Sequence, residues 1–210
     1  SNAAHELRTP LAGILAQAQL AELTTGDKQQ RALLQVSKST KRLNSILDNL
    51  LLLANIEAST QVHTDESWSV ELLIKNMINE TTQGSERIAY SLQGKELISV
   101  IPSAMIAIVC RNLIDNALKY SPPETPILMA INATESLLSI NVSNTANVSA
   151  TDIAKMTTRF WRSGSAEGAG LGLSIVETIA INYKGSIILS NGDKTFVARF
   201  SIPLTAIKIA

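Results

Sequence analysis

Arg111-Asn112-Leu113-Ile114-Asp115-Asn116-Ala117-Leu118-Lys119-Tyr120 ends a run that reads as helix from Met105, and its spacing puts Asn112, Asn116 and Lys119 on one face. Neutral amide oxygens can hold a hydrated magnesium ion without competing with phosphate for its charge, and a lysine can reach phosphate oxygens directly. The same spacing also suits a plain solvated face, on which Arg111 and Asp115 would form an i,i+4 pair. The first half of the run is apolar (Met105, Ile106, Ile108, Val109) and encloses Cys110, which reads as a small buried core residue. One cysteine supplies neither an internal disulfide nor a Cys-rich metal site, and it fits a reducing compartment.

On either side of this helix the chain mixes helix and strand. Val70 to Asn79 reads as helix, and Ile88 to Leu92 and Leu97 to Ile101 as short strands. Ile127 to Ala133 and Leu137 to Ser143 read as adjacent strands joined by a turn at Thr134 to Ser136. Leu171 to Tyr183 is a further helix, and Ile187 to Leu189 and Phe196 to Ile202 close the chain as strands. This order is neither strict βαβ alternation nor all-β, so an α+β sandwich with helices on one face of a mixed sheet is expected.

The N-terminal third differs. Leu7, Leu11, Ile14, Ala18 and Ala21 repeat at steps of four and three, the spacing of a coiled-coil seam. Thr24-Thr25-Gly26-Asp27 breaks the pattern, and a second run from Lys28 to Ala58 carries Leu43, Ile46, Leu50, Leu53 and Ile56 on one stripe. Leu47, Leu51 and Ala54 widen that stripe beyond a two-stranded seam. Two helices joined by a short turn make an antiparallel hairpin, and so wide an apolar face predicts pairing of two copies into a four-helix bundle. Residues 59–66 are polar and read as a linker, with His63 solvated within it. The expected domains are therefore 4–60 and 61–210.

Composition excludes more than it selects. The 210 residues include 45% hydrophobic and 17% charged, with 18 Lys+Arg against 18 Asp+Glu. Zero net charge gives no bulk attraction to nucleic acid, so no nucleic-acid partner is expected. No stretch approaches a membrane span, so this chain itself is not expected to be membrane-embedded. Ser1-Asn2-Ala3 reads as a scar of tag removal. The native segment is then expected to begin near Ala4, inside a longer protein whose other part could include a membrane anchor.

Two further segments carry chemistry. In His5-Glu6-Leu7-Arg8-Thr9-Pro10, a neutral imidazole is a nucleophile, and the adjacent Glu6 can accept its second ring proton during attack on phosphorus. Thr9 lies one turn on, where a hydroxyl can position a water. Pro10 removes a helix hydrogen bond and favours a kink. In Gly168-Ala169-Gly170-Leu171-Gly172-Leu173, glycines permit tight turns, and free N–H groups at the following helix start attract phosphate oxygens. No βαβ unit precedes it, which argues against a dinucleotide fold. Residues 163–167 are small and polar, as in a mobile lid.

Together these segments resemble the sensor histidine kinases of two-component systems. His5 to Pro10 is similar to their phosphoacceptor box and Asn112 to Tyr120 to their N box. Arg159-Phe160-Trp161-Arg162 is similar to the F box and Gly168 to Leu173 to the second glycine box, all in the family's order. The resemblance implies a dimerising phosphotransfer hairpin followed by an α/β sandwich ATP-binding domain. It implies ATP and Mg2+ as ligands, a homodimer, a response regulator receiver domain as partner, and a cytoplasmic location within a parent anchored in a bacterial inner membrane. His5 would be the phosphoacceptor, Glu6 its base and Thr9 a residue of the reverse, phosphatase reaction. Asn112 and Asn116 would handle Mg-ATP, with Asn116 as metal ligand. Lys119 and Arg162 would contact phosphates, Tyr120 would line the nucleotide pocket, and Gly168, Gly170, Leu171 and Gly172 would form the phosphate loop.

One box departs from the family. Where the family carries Asp-x-Gly-x-Gly, this chain has Val142-Ser143-Asn144-Thr145-Ala146-Asn147-Val148. Either Asn144 or Ser143 can be aligned with the adenine-binding aspartate; Asn144 is favoured because its amide oxygen can still accept the adenine amino proton. Loss of the charge would cost about 1–2 kcal/mol, roughly tenfold in affinity. A relay or phosphatase with weak ATP binding is the alternative that this box suggests. A chaperone-type ATPase is disfavoured by the His5 segment.

Overall fold

The computed structural model describes residues 2–58, 67–81, 84–94, 97–98, 101–162 and 169–204. The expected linker with His63, and the whole of the expected lid (163–167) with Gly168, lie outside them. The chain divides into two compact units, one of Ser1–Asn55 with Thr158–Leu171 and one of Ile56–Thr157 with Gly172–Ala210.

In the first unit, α1 (Asn2–Leu23) and α2 (Asp27–Ala58), whose residues from Ile56 on are counted with the second unit, form the hairpin. The turn closes where the sequence breaks: Gly26 sits at φ +66°, a conformation that glycine adopts without a Cβ penalty, and its carbonyl accepts from the Gln30 N–H. Thr24 donates its hydroxyl to the Leu20 carbonyl, and the Gln29 amide reaches across to the Ala21 carbonyl at 3.0 Å. Ala21 and Ala32 are buried, as are Ile46, Leu53 and Ile56 of the expected stripe. Other leucines stay uncovered: Leu11, Leu15, Leu33, Leu34, Leu47 and Leu51 are all exposed. Pro10 is buried, and α1 continues through it.

The second unit is the mixed sandwich. Its sheet has the order β2-β4-β5-β7-β6, with β2 (Ile88–Gly94), β4 (Ile127–Ala133), β5 (Leu137–Thr145), β7 (Thr195–Pro203) and β6 (Ser186–Asn191). The β2–β4 pair is parallel and the rest are antiparallel. A separate ribbon pairs β1 (Trp68–Ser69) with β3 (Leu97–Ile98). Of the strand expected from Leu97 to Ile101, Leu97–Ile98 is strand, residues 99–100 lie outside the described residues, and Ile101 is fully buried in a bend, its carbonyl accepting the Trp68 indole N–H at 2.7 Å.

Three helices serve this sheet: α3 (Val70–Glu80), α4 (Ser103–Tyr120) and α6 (Gly172–Asn182). A short α5 (Ala150–Ile153) follows β5. Ser69 caps α3 through the Leu72 N–H, and Ser149 caps α5 through the Asp152 N–H. α4 packs on β4 and β5, α6 on β6 and β7, and α3 on α4. Strict alternation of buried and open residues along β4 and β5 leaves one sheet face to the helices. That inner layer holds Met129, Ile131, Leu138, Ile140, Phe200 and Ile202, and such side chains contribute about 1.5–3 kcal/mol each when fully buried.

Candidate functional site

α4 carries the polar face on an otherwise buried helix. Ile106, Val109, Cys110, Leu113, Ile114 and Ala117 face inward, leaving Asn112 and Asn116 half-buried at the border and Lys119 and Tyr120 exposed at the last turn. Asn112 is fixed by its own helix, its amide N–H donating to the Ile108 carbonyl at 2.9 Å. Its Oδ1 then points at Gly172, the first residue of α6; a Cβ there would lie 2.8 Å from that oxygen. The α6 N-terminus, where the first N–H groups of a helix lack intrahelical partners, lies beside the Asn112 amide. Lys119 holds its ammonium 4.8 Å from the centre of the Tyr120 ring.

The alternative surface pair is not the one that forms. Arg111 makes its hydrogen-bonded ion pair with Glu80 of α3 at 3.0 Å, because the packing of α3 against α4 offers a carboxylate across the helices, while Asp115 feels its charge without such a bond among the described residues. A cavity of about 260 Å³ between α3 and α4 is lined by Met77, Ile114 and Leu118 with a rim of Glu80, Arg111 and Asp115. Neither Asn112, Asn116 nor Lys119 lines it, so it lies off the polar face.

Asn144 is 5% exposed on the inner face of β5, in line with Leu138, Ile140 and Val142, while Ser143 projects to the other face. In register it sits between Ile127 of β4 and Phe196 of β7. Among the described residues its amide makes one long bond, to the Thr145 carbonyl at 3.5 Å. Such a bond is weak, and it leaves the buried amide able to pair with an incoming polar group. After β5 the chain is held from the β6–β7 turn, a feature the sequence reading missed. The Ala146 N–H donates to the Lys194 carbonyl at 3.2 Å. The Val148 N–H donates to Asn191 Oδ1 at 3.3 Å, and Asn191 Nδ2 donates back to the Val148 carbonyl. An Asn before Gly192 reads from sequence as an ordinary turn residue.

The other candidate residues belong to the first unit. His5 is exposed on α1, and Thr9 donates its hydroxyl to the His5 carbonyl at 3.2 Å. Adjacent helical residues diverge by about 100°, and among the described residues no hydrogen bond or ion pair joins Glu6 to His5. Arg162 is half-buried. Gly170 adopts φ +68° and accepts the Phe160 N–H at 2.8 Å; Phe160 itself has φ +65°. A Cβ on Gly170 would lie 2.6 Å from the Trp161 carbonyl, so this neck requires glycine. Leu171 is buried.

The donor set fits the ligands that the sequence reading implies. Among the described residues no cluster of three His, Cys, Asp or Glu could hold a metal ion. The neutral amide oxygens on α4 are of a kind that can hold a magnesium ion when phosphates and water supply the rest of its shell. The buried Asn144 amide suits a base edge.

Comparison with known proteins agrees with this layout. Residues 1–59 match the family described as "His Kinase A (phospho-acceptor) domain", and residues 103–206 match "Histidine kinase-, DNA gyrase B-, and HSP90-like ATPase". The chain is similar to the sensor protein kinase PmrB of Pseudomonas aeruginosa, at 32% identity over 91% of this chain and 42% of that protein. Its fold is similar to that of the histidine kinase AdeS of Acinetobacter baumannii, with a TM-score of 0.78 and 18% identity over 96% of this chain and 98% of that one. It is also similar to that of the histidine kinase ThkA, solved in complex with the response regulator protein TrrA; the TM-score is 0.74 and the identity 18%, over 96% of this chain and 60% of that one. The chain spans less than half the length of the curated relatives it matches.

Proposed function

Because this chain belongs to the histidine kinases of two-component systems, we propose that it is the core of an ATP-dependent protein-histidine kinase that phosphorylates its own His5. Residues 4–60 act as the phosphotransfer hairpin and residues 61–210 as the catalytic domain. The observation that carries the reading is the Asn112 amide, tethered to the Ile108 carbonyl with its oxygen turned to the start of α6. An anion site and a metal-tolerant amide then stand side by side, which is what phosphoryl transfer asks of a protein.

In this proposal Asn116 ligates Mg2+, which when bound offsets the phosphate charge. Asn112, Lys119 and Arg162 orient the phosphates, and the loop of Gly168, Gly170, Leu171 and Gly172 encloses them with backbone N–H groups. Asn144 accepts the adenine amino proton, a role favoured over Ser143 by its inward position, and Tyr120 flanks the nucleotide. His5 attacks the γ-phosphorus: a P–N bond forms, the P–O bond to the β-phosphate breaks, ADP departs and the second ring proton passes to Glu6. An aspartate of a response regulator receiver domain then takes the phosphoryl group from His5. Thr9, whose donor is occupied by the His5 carbonyl, keeps its lone pairs to hold a water for the reverse reaction. The uncovered Leu11, Leu15, Leu33, Leu34, Leu47 and Leu51 support a homodimer through the hairpin. The parent protein is proposed to be a membrane-anchored sensor with this part on the cytoplasmic side; no helix among the described residues is long and apolar enough to cross a membrane.

The test is labelling with Mg-ATP carrying a marked γ-phosphate. An acid-labile phosphoryl group on this chain that is absent from the His5→Gln variant is expected. Tight Mg-ATP binding with no label on His5, in a chain confirmed as dimeric, would overturn the kinase reading.

A further inference from the structure

The loop after β5 is the part of the site that departs most from the family's glycine-rich pattern, and it is held in an unusual way. From Asn144 to Val148 there is no glycine, so the chain cannot use positive φ at no steric cost to shape itself around a base. Its position is set from outside. Asn191, the last residue of β6, takes both backbone groups of Val148: its Oδ1 accepts the N–H and its Nδ2 donates to the carbonyl. A carboxamide offers a donor and an acceptor side by side, so here it stands in for a neighbouring strand in a two-bond ladder pair. The adjoining turn adds the Lys194 carbonyl, which accepts the Ala146 N–H; Lys194 is itself in the left-handed region at φ +54°. Gly192 closes that turn by donating to the Thr195 carbonyl at 2.7 Å.

We propose that Asn191 is a positioning residue for base recognition: by pairing with Val148 it fixes residues 146–148 beside Asn144 and so sets how well the site distinguishes adenine from other bases. The inference rests on the reading of this unit as a nucleotide site. Asn191 bonds the loop that follows Asn144 and no residue of the Gly170–Gly172 segment, so its effect is expected on the base more than on the phosphates. The side chain is exposed, and its loss removes no buried apolar contact.

The experiment is calorimetric titration of the 210-residue chain and its Asn191→Ala and Asn191→Asp variants with three probes: Mg-AMPPNP, the guanine equivalent Mg-GMPPNP, and Mg-triphosphate lacking a base. In Asn191→Ala the adenine probe is expected to bind about tenfold more weakly, as loss of two net hydrogen bonds implies, and in Asn191→Asp, which loses one bond and gains a repulsion, by a similar factor. The adenine-to-guanine ratio should fall while triphosphate binding stays within twofold. Asn191→Asp keeps the acceptor for the Val148 N–H but sets a carboxylate oxygen against the Val148 carbonyl. Its near-identical size keeps the test valid if the alanine variant folds poorly. Unchanged adenine affinity, or a loss shared equally by all three probes, overturns the role of Asn191 and leaves the nucleotide site standing. Failure of the unsubstituted chain to bind either nucleotide overturns the nucleotide reading itself, and this inference with it.

Discussion

The Asn112 amide oxygen and the α-carbon of Gly172 approach so closely that a methyl group on Gly172 would meet the oxygen at 2.8 Å. Backbone strain is not the reason for glycine here, since Gly172 is absent from the residues with positive φ. Alanine is the better helix former, so at this first helical position it does not weaken α6. Gly172→Ala is therefore expected to leave the melting temperature within a few degrees while displacing the Asn112 carboxamide. Mg-AMPPNP affinity should fall about tenfold or more, corresponding to at least ~1.4 kcal/mol. Unchanged affinity would mean that the amide is not used in its observed position.

Asn116 lies one turn after Asn112 on the same half-buried face and is proposed as the metal ligand. Removing it should cost the magnesium-dependent part of binding more than the rest. For Asn116→Ala, the affinity of the ATP analogue with Mg2+ and with chelator present should converge, whereas the unsubstituted chain should show a clear gain with the metal. If the gain persists in the variant, the metal is held by other groups.

Much of this was legible in the sequence because the signals were periodic. The helix ending in Tyr120 and the strand from Ile127 to Ala133 ended where expected, since alternating burial and a Ser121-Pro122 stop leave little freedom. Asn144 was preferred to Ser143 for its amide oxygen alone; neighbouring strand residues face opposite ways, and that Asn144 is the one facing inward needed the burial along β5. The β1 strand at Trp68–Ser69 escaped because two residues carry no period, and the strand toward Ile101 was over-extended because an apolar residue in a buried bend looks like a strand end. The Asn191 pairing with Val148 joins residues 43 apart and leaves no local trace. Likewise the bond from Arg111 to Glu80 spans 31 residues, so the i,i+4 alternative was the only partner visible along the chain.

Cys110 gives a pH dependence of stability with a definite sign. It is fully buried on α4, and burial pushes its thiol up to about 12 from an ordinary value near 9.0. In the unfolded chain the thiol ionises at its ordinary value, so above it the unfolded state binds fewer protons than the native state. The contribution is intact below about pH 9 and is lost as pH rises toward 12, at up to about 1.4 kcal/mol per pH unit. Urea unfolding of the unsubstituted chain and of Cys110→Ala should therefore give a stability difference that is constant below pH 8.5 and narrows above pH 9. A native chain whose thiol is alkylated at pH 8 as fast as in urea would contradict the burial.

Asn144→Asp separates binding from stability at one position. A carboxylate accepts a stronger hydrogen bond from an adenine amino group than an amide does, so Mg-AMPPNP affinity is expected to rise about tenfold. The same carboxylate would replace a neutral group that is 5% exposed and, among the described residues, hydrogen-bonded at 3.5 Å, so without nucleotide it faces burial of a poorly compensated charge. The variant should therefore melt below the unsubstituted chain when empty and recover on nucleotide addition, with the gap widening as pH rises and the carboxyl ionises. A gain in affinity with a loss of apo stability marks Asn144 as the base acceptor. A loss of apo stability with no gain for adenine would assign it to the sheet alone, and adenine recognition would then have to be sought elsewhere on the loop from Thr145 to Val148.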